Sequence, residues 1–321
     1  MNMNLQRNKE EPVGDFQKNI LTEIGPKDEK RYTYDLISET IEVCMISDIG
    51  SRRTNNEDHC LFSKVNDNDY RERLGILTAV ADGMGGAVAG EHASKMAVTL
   101  LSDYYFSSEG NNIPEILLNS IQKINENIFN LSENDPSYFG MGTTISALVI
   151  HGDVGYVAQV GDSRIYLYRN DYPVKQITED HSIVAEQLKE GLINEEEARN
   201  HILKNLITRA LGIKETVETD LYSFTIKKGD TLLLCSDGLS NMVTEEQIQQ
   251  GLSSEKLVDG LNSLIDIAIQ EGAPDNITAV AVRIIGELEH KDIIRHEKMT
   301  IVSPEKKFSL LKKLLHLFSF K

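Results

Sequence analysis

The sequence predicts an α+β protein of four layers: two antiparallel β-sheets packed face to face, helices outside both, and an inserted helical flap. Three observations predict it. Short apolar runs rich in β-forming residues recur along the chain. Tight turns such as His151-Gly152-Asp153 join neighbouring runs, which makes the joined strands antiparallel. Helical stretches come in pairs between groups of strands, so each sheet can be covered on its outer side.

Taken in order, residues 1–38 are polar, mixed in charge and aperiodic, and read as an extension of the kind that stays disordered. Residues 41–47 alternate like a strand, the polar loop 48–58 follows, and 59–65 is the next strand. Residues 74–81 form a short buried strand that runs into Asp82-Gly83-Met84-Gly85-Gly86, and helical spacing then holds over 89–106. A second helix covers 113–131, with Pro114 in its first turn, where the missing N–H has no partner to lose. Residues 142–150 and 154–160 make a hairpin, and 163–168 is a third strand entered through Gly161-Asp162. The acidic stretch 178–212, interrupted by Gly191, forms the flap. Strands return at 221–226 and 231–235, helices near 244–251 and 254–271, and a last strand at 277–285. The packed domain is thus 39–287, and 288–321 is a linker followed by a basic amphipathic helix.

That tail has its own pattern. Advancing about 100° per residue, Phe308, Leu310, Leu311, Leu314, Leu315, Leu317 and Phe318 fall on one half of a helix, and Ser309, Lys312, Lys313, His316 and Ser319 on the other. Such a segment over 305–321 suits an anionic membrane surface or a docking site on the domain itself or on a partner.

Composition narrows the function. The chain has 321 residues, 40% apolar and 26% charged, with a net charge of −17, and a pI near 4.9. Phosphate backbones would be repelled, so a general nucleic-acid binder is excluded. No apolar run approaches the ~18 residues of a spanning helix, and the N-terminus lacks the apolar stretch of a signal peptide. Three cysteines give no disulfide framework, and the expected compartment is the cytoplasm.

Four acidic sites share one context: Glu57-Asp58, Asp82-Gly83, Asp237-Gly238 and Asp275-Asn276 each sit where an apolar strand begins or ends. A rigid sheet could gather them at one edge. Carboxylates brought together repel and raise one another's pKa; divalent cations resolve that repulsion, and carboxylate oxygens suit hard ions such as Mg²⁺ or Mn²⁺. Other chemistries fail on inspection. A dinucleotide fingerprint needs glycine where Val88 stands, and no Gly-Lys-Ser/Thr follows the glycines. A Cys-x5-Arg phosphatase loop would place arginine where Gly50, Asn66 and Asn241 follow Cys44, Cys60 and Cys235. A serine elbow fails because Ile165 stands where its closing glycine belongs.

Six motifs, in order, resemble the metal-dependent protein Ser/Thr phosphatases (type 2C) in their bacterial form. They are Arg53-x-x-x-Glu57-Asp58, Asp82-Gly83-Met84-Gly85-Gly86, Gly142-Thr143-Thr144, Gly161-Asp162-Ser163-Arg164, Ser236-Asp237-Gly238-Leu239 and Asp275-Asn276-Ile277-Thr278. The resemblance implies a sandwich with two metal ions, Mn²⁺ or Mg²⁺, in a cleft at one end of the sheets, and a third nearby. Asp82 would bridge the two ions, with the Gly83 carbonyl on one and Asp237 and Asp275 on the other. Glu57 and Asp58 would contribute partly through water, Asp162 with Asp237 would hold the third ion, and Arg53 would clamp the phosphate. A water shared by the ions would attack phosphorus in line, without a phosphoenzyme.

The implied function is hydrolysis of phosphoserine and phosphothreonine on proteins, opposing a Ser/Thr protein kinase. A phosphoprotein-binding module of weak activity and a phosphatase for small phosphomonoesters are the alternatives. The chain departs from the pattern where members carry a leaving-group histidine in or after the glycine turn: Met84 and Ala87 stand there. His181 is one replacement, although a histidine that fixes the flap is the better reading; His59 reads as a strand residue, and Arg164 and Arg209 as ion-pair partners.

Overall fold

The structure, a computed structural model, describes residues 19–27, 29–65, 73–194, 197–198, 201–203 and 206–303. Chain order begins β1 (Ile20–Gly25), β2 (Arg31–Ile37), β3 (Ile41–Asp48), β4 (Asp58–Val65) and β5 (Ile76–Met84), then helices α1 (Ala87–Phe106) and α2 (Ile113–Asn134). A 3-10 turn, Pro136–Tyr138, leads to β6 (Gly142–Thr143), β7 (Ile145–His151), β8 (Val154–Val160), β9 (Arg164–Tyr168), β10 (Lys175–Gln176) and α3 (Ile183–Lys189). After β11 (Asp220–Thr225) and β12 (Thr231–Cys235) come α4 (Asp237–Ser240), α5 (Glu245–Leu252), α6 (Leu257–Gln270), β13 (Ile277–Ile284) and β14 (Met299–Ile301).

One sheet has eight strands, in the order β1-β4-β5-β7-β8-β11-β14 with β6 paired to the end of β5; the other has six, in the order β10-β9-β12-β13-β3-β2. Alternation sorts each strand between two cores. In β7, Leu148 and Ile150 face the layer between the sheets, with Val43, Phe62, Leu232 and Val280. Ala147 and Val149 face outward, under α1 and α2. On the far side α5 and α6 cover the six-stranded sheet through Ile248, Leu261, Leu264 and Ile265. Local signals start these helices: Asn112 caps α2 by accepting from Glu115 N–H, and Thr244 and Gln247 form a reciprocal capping box on α5.

The structure corrects three expectations. Residues 20–37 are not an unpacked extension, because β1 pairs with β4 and β2 with β3 at the edges of the two sheets. Edge strands half-facing solvent carry charge between their inward residues, which hides their alternation. Tyr32 is buried and donates to Glu23 at 2.7 Å, and Arg31 reaches Asp48 at 2.7 Å. The linker after 287 also packs, and its β14 runs parallel to β11, so the larger sheet is not wholly antiparallel. Three residues arriving by a long crossover leave no period to read. Among its described residues the flap is not helical throughout: α3 and residues 197–198 are helical, while bridges at Ser182–Ile207 and Thr143–Leu211 tie the rest down. Residues 1–18 and the amphipathic tail from 304 onward lie outside the described residues.

Candidate active site

The acidic positions meet at one end of the sandwich because the strands that carry them end there. Asp58 opens β4 and lies directly opposite Asp82 near the end of β5. Asp237 starts α4 two residues after β12, and Asp275 stands two residues before β13, which pairs with β12. Asp162 occupies the turn from β8 to β9, where the chain passes from one sheet to the other.

Main-chain packing brings these ends together. Gly83 N–H donates to the Glu57 carbonyl at 3.1 Å, and a Cβ on Gly83 would strike the Gly90 and Glu57 carbonyls. Glycine there lets β5, the Glu57 loop and the start of α1 touch. Asp82 is held by its backbone: its N–H donates to Thr144 Oγ1 at 2.9 Å, and its carbonyl accepts from Thr143 Oγ1 at 2.9 Å and from Thr144 N–H at 2.9 Å.

Burial concentrates the charge. Asp82 and Asp162 are pushed well above the ordinary carboxylate range, first by burial and then by neighbouring carboxylates; Asp58, Asp237, Asp162 and Asp275 act on Asp82. Burial, then Asp275 and Asp237, raise Asp58 to about 7, against hydrogen bonds from Ser236 and Thr278. Asp237 rises to about 6 for the same reasons, burial first and Asp275 next. Burial also raises Glu57. The nearest cation at the mouth is Arg53, 42% exposed, which pairs with Glu57 at 3.0 Å and with Asp275 at 2.9 Å.

The donor set fits hard divalent cations. Its side chains are mutually repelling carboxylates, Glu57, Asp58 and Asp162 buried and Asp82, Asp237 and Asp275 half-buried, only partly neutralised by arginine. Several are engaged by protein donors: Ser236 Oγ to Asp58 at 2.7 Å, Asn241 to Asp237 at 3.1 Å, and Arg53 to two others. Accordingly, among the described residues no three acids, histidines or cysteines point at one ready-made metal position. Glu57, Asp58, Asp82, Asp162, Asp237 and Asp275 are nonetheless the residues the fold collects here, with Gly83 beside them.

The histidines have structural tasks. His181 is buried; its Nδ1 accepts from Gly161 N–H at 3.1 Å, so Nε2 carries the proton and faces Asp220 at 3.2 Å. Nδ1 fastens the flap entry to the Asp162 turn, and Nε2 fastens it to the start of β11. Burial lowers His59 to about 3, so it is neutral; Nδ1 lies 2.9 Å from Ser94 Oγ, which in turn donates to the Glu57 carbonyl at 2.5 Å. Arg164 grips Asp180 through both Nε and Nη2, and Arg209 holds Asp220 at 2.8 Å.

Sequence reasoning gave no role to the residues that hold the acids. Asn276 Oδ1 accepts from Glu57 N–H at 2.9 Å, while its Nδ2 donates at 2.9 Å to the carbonyls of Ile49 and Asn55. One amide therefore shapes the loop carrying Arg53, Glu57 and Asp58. Gln159 does the same for the Asp162 turn, donating to Gly161 at 3.1 Å and to Ser163 at 2.6 Å. Ser236 and Asn276 each adjoin a singled-out aspartate, the one signal that could have found them.

Residues 42–277 match the family model described as Protein phosphatase 2C. The chain belongs to the protein phosphatase 2C family. It is 41% identical over 241 residues to the serine/threonine phosphatase stp of Listeria monocytogenes, covering 74% of this chain and 93% of that one. The solved serine/threonine phosphatase of S. agalactiae is 39% identical with a TM-score of 0.70, over 76% of this chain and 99% of that one. The catalytic domain of the phosphatase PstP, solved in complex with two manganese ions, is 35% identical with a TM-score of 0.66, over 77% and 99%. A 2C phosphatase, then, is what the carboxylate cleft belongs to.

Proposed function

We propose that the protein hydrolyses phosphoserine and phosphothreonine on proteins with two bound divalent cations, Mn²⁺ or Mg²⁺. The observation that carries this reading is the cluster of buried and half-buried, mutually repelling carboxylates with Arg53 at its mouth. When bound, the ions supply charge neutralisation and Lewis-acid activation of water for attack on phosphorus. Asp82 would serve both ions, with the Gly83 carbonyl for one and Asp237 and Asp275 for the other, and Glu57 and Asp58 would contribute partly through water. Asp162 with Asp237 would hold a third.

The remaining work falls to the chain. Arg53 carries more donors than its two carboxylate partners use, and its exposure leaves them free to bind phosphate oxygens. Asn276 and Thr144 fix the positions of Glu57 and Asp82. His181, whose nitrogens are both engaged, is not placed to protonate a leaving group, so that proton comes from water or another acid. We further propose that the enzyme opposes a Ser/Thr protein kinase in the cytoplasm, with the 305–321 tail in contact with an anionic membrane surface.

The test is metal-dependent turnover. Purified protein should cleave a phosphothreonine peptide with added Mn²⁺ and lose that activity in excess chelator. Asp82→Asn should reduce kcat by more than the ~100-fold typical of losing an outer partner of a metal ligand. Undiminished turnover in chelator would refute the proposal.

A further inference from the structure

Two large apolar side chains beside the carboxylate cleft belong to none of the three cores. Val88, in the first turn of α1, is 72% exposed, and Phe139, just after the 3-10 turn, is 76% exposed. Exposed apolar groups scattered singly need no explanation; a pair held rigidly at the rim of an active site does.

The rigidity can be traced. His92, one helical turn after Val88, stacks on Tyr138 with ring centroids 4.5 Å apart, tying the 3-10 turn to α1. Gly85 packs so tightly on the next stretch that a Cβ there would lie 2.8 Å from the Gly140 carbonyl and the Met141 Cα. Gly142 and Thr143 then pair with Met84 and Gly83. Phe139 is thereby referenced, through backbone contacts, to the turn that carries Asp82. On the flap side a cavity of about 520 Å³ has a mixed lining, with charged groups such as Arg164, Asp180 and Glu245 beside apolar ones such as Val184, Leu188 and Met242.

We propose that Val88 and Phe139 form an apolar lip on the α1 side of the cleft that selects phosphoprotein segments bearing an apolar side chain close to the phosphorylated residue. The inference rests on the phosphatase reading. Its occupant follows from continuity with the cleft: Arg53 and the carboxylates fix where the phosphate sits, so the substrate's own chain must cross the rim. An extended chain advances about 3.3 Å per residue, and the lip adjoins Gly85, three positions after Asp82. The residue it reads is therefore about one to three positions from the phosphorylated one. On a protein of net charge −17, an uncharged lip favours apolar over acidic neighbours.

The experiment compares two phosphothreonine peptides of equal charge, with leucine or serine at the flanking positions, and para-nitrophenyl phosphate as a substrate too small to reach the lip. The Mn²⁺-loaded full-length enzyme should prefer the leucine peptide by about tenfold in kcat/KM, the scale of one apolar contact. Phe139→Ser should erase that preference through KM, Phe139→Leu should retain most of it, Val88→Ser should reduce it, and aryl phosphate turnover should not change. A preference absent in the natural protein, or untouched by Phe139→Ser, overturns the lip. So does an equal loss on all three substrates, which would make Phe139 a support of the Gly85 turn. An enzyme that cleaves the aryl phosphate but neither peptide overturns the protein-substrate reading, and the lip with it.

Discussion

Asp58 and Asp82 face each other across two hydrogen-bonded strands, and a protein left to itself does not keep two buried carboxylates charged at that spacing. The raised positions of Asp58, Asp82, Asp162 and Asp237 express the cost. Their sign makes a prediction. A carboxyl whose folded pKa lies above its unfolded value binds its proton more tightly when folded, so stability falls as pH rises between the two values. For Asp58 and Asp237 that window runs from about 4, the ordinary value, to the values of about 7 and 6 reached in the fold. Chelated protein should therefore melt at a lower temperature at pH 8 than at pH 5, by more than about 3 °C. Mn²⁺, which binds the deprotonated form, should close or reverse the gap. Thermal scans at the two pH values, with chelator and with metal, decide it; equal midpoints in chelator would mean that the carboxylates do not repel as the fold implies. The acids themselves were legible in the sequence because a carboxylate where an apolar run begins or ends is a local signal. Asn276 was not, since its three hydrogen bonds reach residues more than two hundred positions away.

At the scale of elements, what could be read was what repeats. The alternation of the central strands and the 3.6-residue spacing of α1, α2, α5 and α6 placed each within a few residues of its observed bounds. The missed strands, β1, β2, β10 and β14, all lie at a sheet edge, and edges lack the two-sided burial that makes alternation visible. Their contribution is nonetheless large in area: β1 pairs along six residues of β4, and β2 along seven of β3. Tyr32 and Tyr34 reach the layer between the sheets. Deleting residues 1–38 should lower the melting temperature by roughly 5 °C or more, as a loss of a few kcal/mol implies. The bared edges of β3 and β4 should also make the shortened protein associate at concentrations where the full chain does not. Melting and light scattering of the truncated protein check both; a fully stable, monodisperse product would return 1–38 to the status of a dispensable extension.

At the scale of the whole molecule, charge is divided unevenly along the chain. The net charge of −17 falls on the protein as a whole, yet 305–321 holds five lysines against one glutamate. The acidic body should be repelled by an anionic bilayer, and its own field adds to the repulsion the closer it comes. A basic amphipathic helix over 305–321, as proposed above, would reverse that locally, its apolar face entering the interface while its lysines meet the headgroups. Among the described residues no helix is long and apolar enough to cross a membrane. The chain is delivered to this point in a defined place: β14 pairs with β11, Val302 N–H donates to Ser223 at 2.7 Å, and the Ser303 carbonyl accepts from Lys175 at 2.9 Å. Residues 299–303 thus form a strap held against β11 and β10. Full-length protein should co-sediment with vesicles containing phosphatidylserine at low salt and be released as salt shortens the range of the attraction. A chain ending at Pro304 should stay in the supernatant while cleaving aryl phosphate at the full-length rate. Should the full chain ignore such vesicles while truncation raises its activity, the tail would instead be a segment that docks on its own domain.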